Sequence, residues 1–370
     1  MSDTTQDLGA AQIPPDPREL RLQEIRRRAE TEVFPSPQKA PSVLQLPTAS
    51  GETGYYGTPL LKSPGWKAEI PLYFFVGGAA GAAAIIGSIA KLTGAEPRLA
   101  RDARYLAAIG GAISPALLVS DLGMPSRFLN MLRVFKLQSP MSVGSWTLMA
   151  FSSSTAAAAI LDTAKQRSKL FGPLRIIESA SHFVSALTGS VLSTYTGVLI
   201  GATAIPVWNE NARLLPFHFA TSGMAAATSM LELRGHNSPA LNSLGILSSA
   251  AETVVGASIE LRKHPALRPL KSGRSGWLTR LGGVLSGPLP LLLRLLAFSG
   301  DQKRDTNLRK VAAASTVAGS LVTRFAWTQA GAASAADPRI PLQLREAKAA
   351  IEKHQAPAIP TKLEKTVKAD

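Results

Sequence analysis

The stretch IPLYFFVGGAAGAAAIIGSIAKL, from Ile70 to Leu92, carries no charge before Lys91. Coiled as a helix at about 1.5 Å per residue, a run of this length crosses a hydrocarbon core of ~30 Å. In lipid every backbone N–H and C=O must be bonded within the protein, so only helices and closed barrels span a membrane. Seven further segments read as spans: about Ala103–Ser120, Met141–Leu161, Ser179–Ile205, Leu214–Leu231, Leu241–Leu261, Trp277–Phe298 and Val311–Trp327. The seventh is interrupted by Gly-Pro-Leu-Pro at Gly287–Pro290, and the eighth carries Arg324 near its end. The expected fold class is therefore an all-α integral membrane protein, a bundle of about eight transmembrane helices.

Composition agrees with this reading. Of 370 residues 45% are apolar and 18% charged, and the charges gather in the termini and short connections. The expected organisation is a polar, largely disordered region over 1–65 with one short surface helix (PRELRLQEIRRRAETEV), a helix bundle over 66–330 and a basic tail over 331–370. The first residues lack the basic start and apolar h-region of a secretory signal, so the first span is expected to do the targeting. A net charge of +15 and a pI near 10.3 would suggest nucleic acid for a soluble protein. Here the basic residues flank apolar spans, so the expected partner is an anionic lipid surface and not nucleic acid. The chain has no cysteine, which excludes disulfides, thiolate-held iron–sulfur clusters and covalent c-type haem within it. Eight spans leave both termini on one side, and the basic loop Arg262–Arg280 on that side favours cytoplasmic termini.

Small residues crowd several spans, as in GGAAGAAAIIGS, TGSVLSTYTGVLIGATA and SGMAAATSM. Without a hydrophobic force between helices in lipid, small side chains let backbones approach, so these faces should be helix contacts. Ionisable residues within spans are costly, about 2.5–3.5 kcal/mol each at the centre, and mark function or pairing. Glu69 and Tyr73 share a helix face, as do Glu178 and His182. Such a pair at the rim of a bundle can hold a quinone carbonyl and exchange its protons; the alternative is a headgroup-layer carboxylate beside a belt aromatic. Asp121 precedes Arg127 across a Gly-Met-Pro turn, which fits either a local ion pair or proton handling. Arg294 and Arg324 read as side chains that snorkel to the interface. His182 and His218 fall in spans, and no zinc spacing, phosphate loop or hydrolase triad stands out.

The run SPALLVSDLGMPSRFLNMLRVFKLQSPMSVGSW resembles the signature of the NrfD family, the membrane subunits of polysulfide reductase-like complexes. YTGVLIGATAIPVWNENARLLPFHFATSG (Tyr195–Gly223) is similar to that family's fourth and fifth helices, and GYYGTPLLKSPGWKAEIPLYFFVGGAAG to its first. The resemblance implies a haem-free bundle of about eight helices in the bacterial inner (cytoplasmic) membrane. It would bind menaquinone or ubiquinone and exchange electrons with an iron–sulfur partner, with a molybdopterin catalytic subunit beyond it and proton movement coupled to the reaction. Carried over position by position, it implies a quinone pocket with Glu69, Tyr73 and Tyr195, and Asp121 and Arg127 as acid and base. Asn130, Ser139 and Ser142 would satisfy the backbone where the second helix stops. Other members place Asn and His where Glu69 and Tyr73 align. Such a chain is not a complete enzyme alone. The alternative is a non-catalytic anchor or assembly subunit that keeps the bundle.

Overall fold

The computed structural model describes residues 61–341 apart from 95, 123, 125, 168–171 and 299–300, together with Gln23 and Glu24, which are helical. The rest of the surface helix expected near the N-terminus lies outside the described residues. The architecture is all helical: α1 Glu69–Leu92, α2 Pro97–Asp121, α3 Arg127–Met131, α4 Pro140–Arg167, α5 Gly172–Gly201, α6 Pro206–Asn209, α7 Leu214–Leu233, α8 Pro239–Leu261, α9 Arg268–Lys271, α10 Gly273–Ser286, α11 Pro288–Leu296 and α12 Gln302–Ala336. Helix therefore occupies all eight segments read as spans. Four helices are long and apolar enough to cross a membrane: Glu69–Leu92, Pro97–Asp121, Leu174–Gly201 and Pro239–Leu261. Of the others, α3, α6, α9, α10 and α11 are too short, α4 is diluted by Ser and Thr, and α12 carries a charged first turn.

Local chemistry sets the ends of these helices. α1 opens with Glu69 and closes with Lys91, matching the positive N-terminal and negative C-terminal ends of the helix dipole. Ser238 caps α8 by accepting from the Leu241 N–H ahead of Pro239, and Asp301 caps α12 by accepting from Lys303 and Arg304. The seventh segment divides where its sequence is interrupted: Gly287 ends α10 and Pro288 opens α11.

α1, α2, α4 and α5 form one group in which α1 packs on α2 and α5, and α4 packs on the same two helices. α7, α8, α10, α11 and α12 form the second, and contacts of α7 with α1 and α5 and of α12 with α1 join them. Because successive long helices run in opposite directions, the start of α1, the ends of α2, α5 and α8 and the end of α12 gather at one side, the Trp66 end. The ends of α1 and α7 lie at the other, the His236 end.

The small-residue runs lie between helices, as their composition requires. A Cβ on Gly81 of α1 would stand 2.4 Å from the Gly189 carbonyl oxygen of α5, and one on Gly189 would stand 2.7 Å from the Gly81 oxygen. Gly223 of α7 meets the Gly78 backbone in the same way. Backbone cannot step aside as a side chain can. Gly81→Ala is therefore expected to lower stability by about 1–3 kcal/mol through overpacking, read as an earlier thermal unfolding in detergent. An unchanged midpoint would show that α1 and α5 do not pack this closely.

Candidate functional site

Two tyrosines and a carboxylate converge near the Trp66 end. Tyr73 of α1, Tyr195 of α5 and Asp121 at the end of α2 line one cavity of about 140 Å³, with Trp66, Met131 and Met141 among its other walls. The two phenols are almost fully buried, and neither hydroxyl is hydrogen-bonded among the described residues. Asp121 is half-buried and accepts a hydrogen bond from the Lys67 backbone N–H at 3.3 Å, which ties the end of α2 to the segment entering α1.

Aromatic packing holds the pocket in place. Trp66 stacks on Trp208 with ring centroids 5.3 Å apart and meets Phe74 edge-on at 5.9 Å. The Trp208 indole N–H in turn donates to the Trp327 carbonyl at 2.9 Å, fixing the stack to α12. Trp66 thus serves as a pocket wall. Gly144 of α4 makes room for the second tyrosine, since a Cβ there would fall 1.8 Å from Tyr195 Cζ. That glycine ends the Ser-Pro-Met-Ser-Val-Gly motif, whose spacing is explained by this contact.

The loop between α2 and α4 is stapled by its serines. Ser139 Oγ accepts from the Ser142 N–H at 3.4 Å; Ser142 Oγ accepts from the Lys136 N–H at 3.0 Å and donates to the Val134 carbonyl at 3.1 Å. Asn130, expected to join them, makes no side-chain hydrogen bond among the described residues. The Arg127 side chain lies outside the described residues, and so does any ion pair it makes with Asp121.

Glu69 shares the Tyr73 side of α1 but does not line the cavity; one of its carboxylate oxygens is buried without a hydrogen-bond partner. Glu178 and His182, read as a second possible quinone contact, lie instead towards the His236 end in a separate cluster. Lys91 Nζ meets Glu178 at 2.9 Å, Arg104 Nε meets Asp162 at 2.7 Å, and His182 Nε2 lies 3.6 and 3.8 Å from the Asp162 and Glu178 carboxylates. Ligand atoms of Asp162, Glu178 and His182 fall within 4.8 Å of one another, a spacing that can hold a metal ion. Lys91 and Arg104 already neutralise both carboxylates, so a divalent cation would have to displace them. The Glu178–His182 spacing is visible in the sequence, but Asp162, Lys91 and Arg104 come from other helices and hid the cluster.

Other buried charged side chains also have partners. Glu252 of α8 meets His218 Nδ1 at 3.2 Å and accepts from Thr221 and Ser286. Asp102 meets His236 Nε2 at 3.0 Å and Arg234 at 3.4 Å. The snorkelling read for Arg294 and Arg324 is corrected, because both are buried. Arg294 grips Glu232, and Arg324 donates to the Phe219 carbonyl at 2.9 Å with its guanidinium 3.9 Å from the Phe219 ring centroid. Both meet their partners on α7 inside the bundle, while Arg324 Nε and Nη1 are buried without a hydrogen bond among the described residues.

Several long apolar helices with buried ion pairs and glycine-mediated contacts define a multi-pass membrane protein. The family profile described as "Polysulphide reductase, NrfD" matches residues 62–251, and the chain belongs to that family. The matched span contains Tyr73, Asp121, Gly144 and Tyr195. No curated protein matches the chain.

Proposed function

We propose that the chain is the quinone-binding membrane subunit of a respiratory oxidoreductase complex in the bacterial inner membrane, crossing it eight times with both termini on the cytoplasmic side. The observation that carries this reading is the cavity where two unbonded phenols and an aspartate meet within the family-matched segment. Its chemistry suits a quinone head. A ring carbonyl is an acceptor and needs donors in an otherwise apolar wall, and Tyr73 and Tyr195 have theirs to give. The volume is below the ~300–1,000 Å³ of pockets that enclose a whole drug-sized ligand, which fits a ligand entering by its head with its tail in lipid.

Bound there, menaquinone or ubiquinone supplies the exchange of two electrons and two protons between quinone and quinol. Tyr73 and Tyr195 hold and orient the head. Asp121, at a helix end by a polar turn, passes protons between the pocket and water, with Arg127 as its basic partner across the turn. Glu69, one turn from Tyr73, is the next carboxylate along α1. This chain has no thiolate to hold an iron–sulfur cluster, so electrons enter or leave through an iron–sulfur partner, with a molybdopterin subunit beyond it. Proton movement across the membrane is part of the proposal.

Quinone extraction from the purified chain tests it. Tyr195→Phe and Tyr73→Phe each remove one donor and are expected to lower quinone retention about 10-fold, the effect of losing a hydrogen bond worth about 1–1.5 kcal/mol. Asp121→Asn should keep the quinone and slow its reduction. Wild-type protein that neither carries quinone nor takes it up would overturn the proposal and leave the anchor reading.

A further inference from the structure

A second cavity lies in the other helix group, outside everything proposed above. α8, α10 and the start of α11 enclose about 420 Å³, lined by Glu252, Gly256, Glu260, Arg280, Gly283 and Val284 among others. Val254, Val284 and Leu292 on the same helices are more than half exposed, so this face of the bundle meets lipid.

The glycines distinguish this groove from ordinary helix packing. On α8 and α10, Gly245 and Gly282 are pressed against Arg294 and Thr323, where a side chain would collide. A Cβ on Gly256 or Gly283 would meet nothing within 4 Å. A glycine inside a helix weakens it, and no helix contact explains these two. Their effect is to widen the groove along its length. From Glu252 to Glu260 it follows α8 for about 12 Å at the helical rise.

The outer end is basic. Glu260 pairs with Arg280 at 2.8 Å with both side chains exposed, and Lys271 Nζ bonds the Glu260 and Arg262 carbonyls. No acidic residue occurs between Glu260 and Asp301, while Arg262, Lys263, Arg268, Lys271, Arg274 and Arg280 all do. At the inner end no donor is free. The Glu252 carboxylate is occupied by His218, Thr221 and Ser286, and the Thr253 hydroxyl donates to the Ser249 carbonyl. A quinone carbonyl would find no partner there, whereas a hydrocarbon tail needs none.

We propose that this groove binds one anionic phospholipid of the bilayer, an acyl chain lying along Gly256 and Gly283 and the phosphate beside Arg280. The tail is already in hydrocarbon and gains no hydrophobic free energy from the groove. Selection comes from the shape of the wall and from the phosphate taking the place of Glu260 on Arg280, in a loop rich in cations.

The full chain, purified in mild detergent and washed, is compared with Gly256→Leu/Gly283→Leu by lipid mass spectrometry, with thermal unfolding recorded alongside. Wild-type protein should retain an anionic phospholipid, and the double variant should unfold no earlier yet retain only background amounts. If the double variant fails to fold, Ala257→Leu, at an exposed position in the same groove, repeats the measurement. In vesicles of phosphatidylcholine doped with phosphatidylglycerol, Arg280→Gln should lower the preference for phosphatidylglycerol about five-fold, the factor for one basic residue at an anionic surface. Unchanged anionic lipid in the filled groove would overturn the proposal. So would loss of quinone in place of phospholipid. Quinone binding at Tyr73 and Tyr195 is scored separately, so either reading can fail without the other.

Discussion

Arg294→Ala should destabilise the second helix group by about 3–5 kcal/mol, the cost of leaving a buried charge without its partner. The Arg294 guanidinium reaches from α11 to α7, where its two terminal nitrogens meet the Glu232 carboxylate at 2.5 and 2.7 Å and one also donates to Ser229 at 3.2 Å. Arg294 and Glu232 are each at most 5% exposed. The crossing passes over Gly245 of α8, whose Cβ would lie 2.3 Å from the guanidinium, so one contact fixes three helices. Truncating Arg294 leaves the buried Glu232 carboxylate without its two-pronged partner, beside a small cavity lined by His236, Asn237, Asn242 and Arg309. Removing both charges, as Glu232→Gln with Arg294→Met, should restore most of the loss, because the penalty belongs to the unpaired charge. Thermal unfolding in detergent reads both variants. Equal losses in the single and the double variant would show that pairing is not what the arginine contributes.

How much of this was legible beforehand depended on sequence separation. Helix positions follow from apolar runs and capping residues, local properties that Ile70–Leu92 or the Ser238–Pro239 start of α8 display directly. Backbone partners for Ser139 and Ser142 were legible, although they bond Val134, Lys136 and each other just ahead of α4 and not the backbone where α2 stops. Partnership across the bundle was not. Arg294 read as a snorkelling side chain because only the fold brings Glu232 to it, and Glu178 with His182 read as a pocket rim because Lys91, Arg104 and Asp162 come from three other helices. The Glu69–Tyr73 spacing identified a shared helix side but not which residue a neighbouring helix would enclose. Tyr73 meets the ends of α2 and α5 and lines the cavity, while Glu69 does not. The number of crossings resists hydropathy for a related reason. Four helices reach the apolar content of a span, and α4 and α7, with Ser and Thr at buried positions, fall below it.

Gly144→Leu should abolish quinone retention, and its rescue separates the fit of the pocket from its chemistry. Gly144 opens α4 to the Tyr195 ring so closely that a Cβ would overlap Cζ and crowd the hydroxyl, 2.0 Å away. A leucine there must expel the phenol, which either fills the cavity or pushes α5 from α4. Overpacking of this kind costs about 1–3 kcal/mol, so an earlier thermal unfolding should accompany the loss. Adding Tyr195→Ala to Gly144→Leu returns side-chain volume to the same space, and stability should recover. Quinone retention should not recover, because the donor is gone whichever residue fills the gap. If the paired variant regained quinone, Tyr195 would be a spacer and the head would be held by Tyr73 alone. If Gly144→Leu by itself kept quinone, the ligand would lie elsewhere. Tyr195→Phe completes the argument, since it keeps the ring against Gly144 and removes only the hydroxyl. Lower quinone retention at unchanged stability in that variant would assign the phenol a binding role that packing cannot mimic.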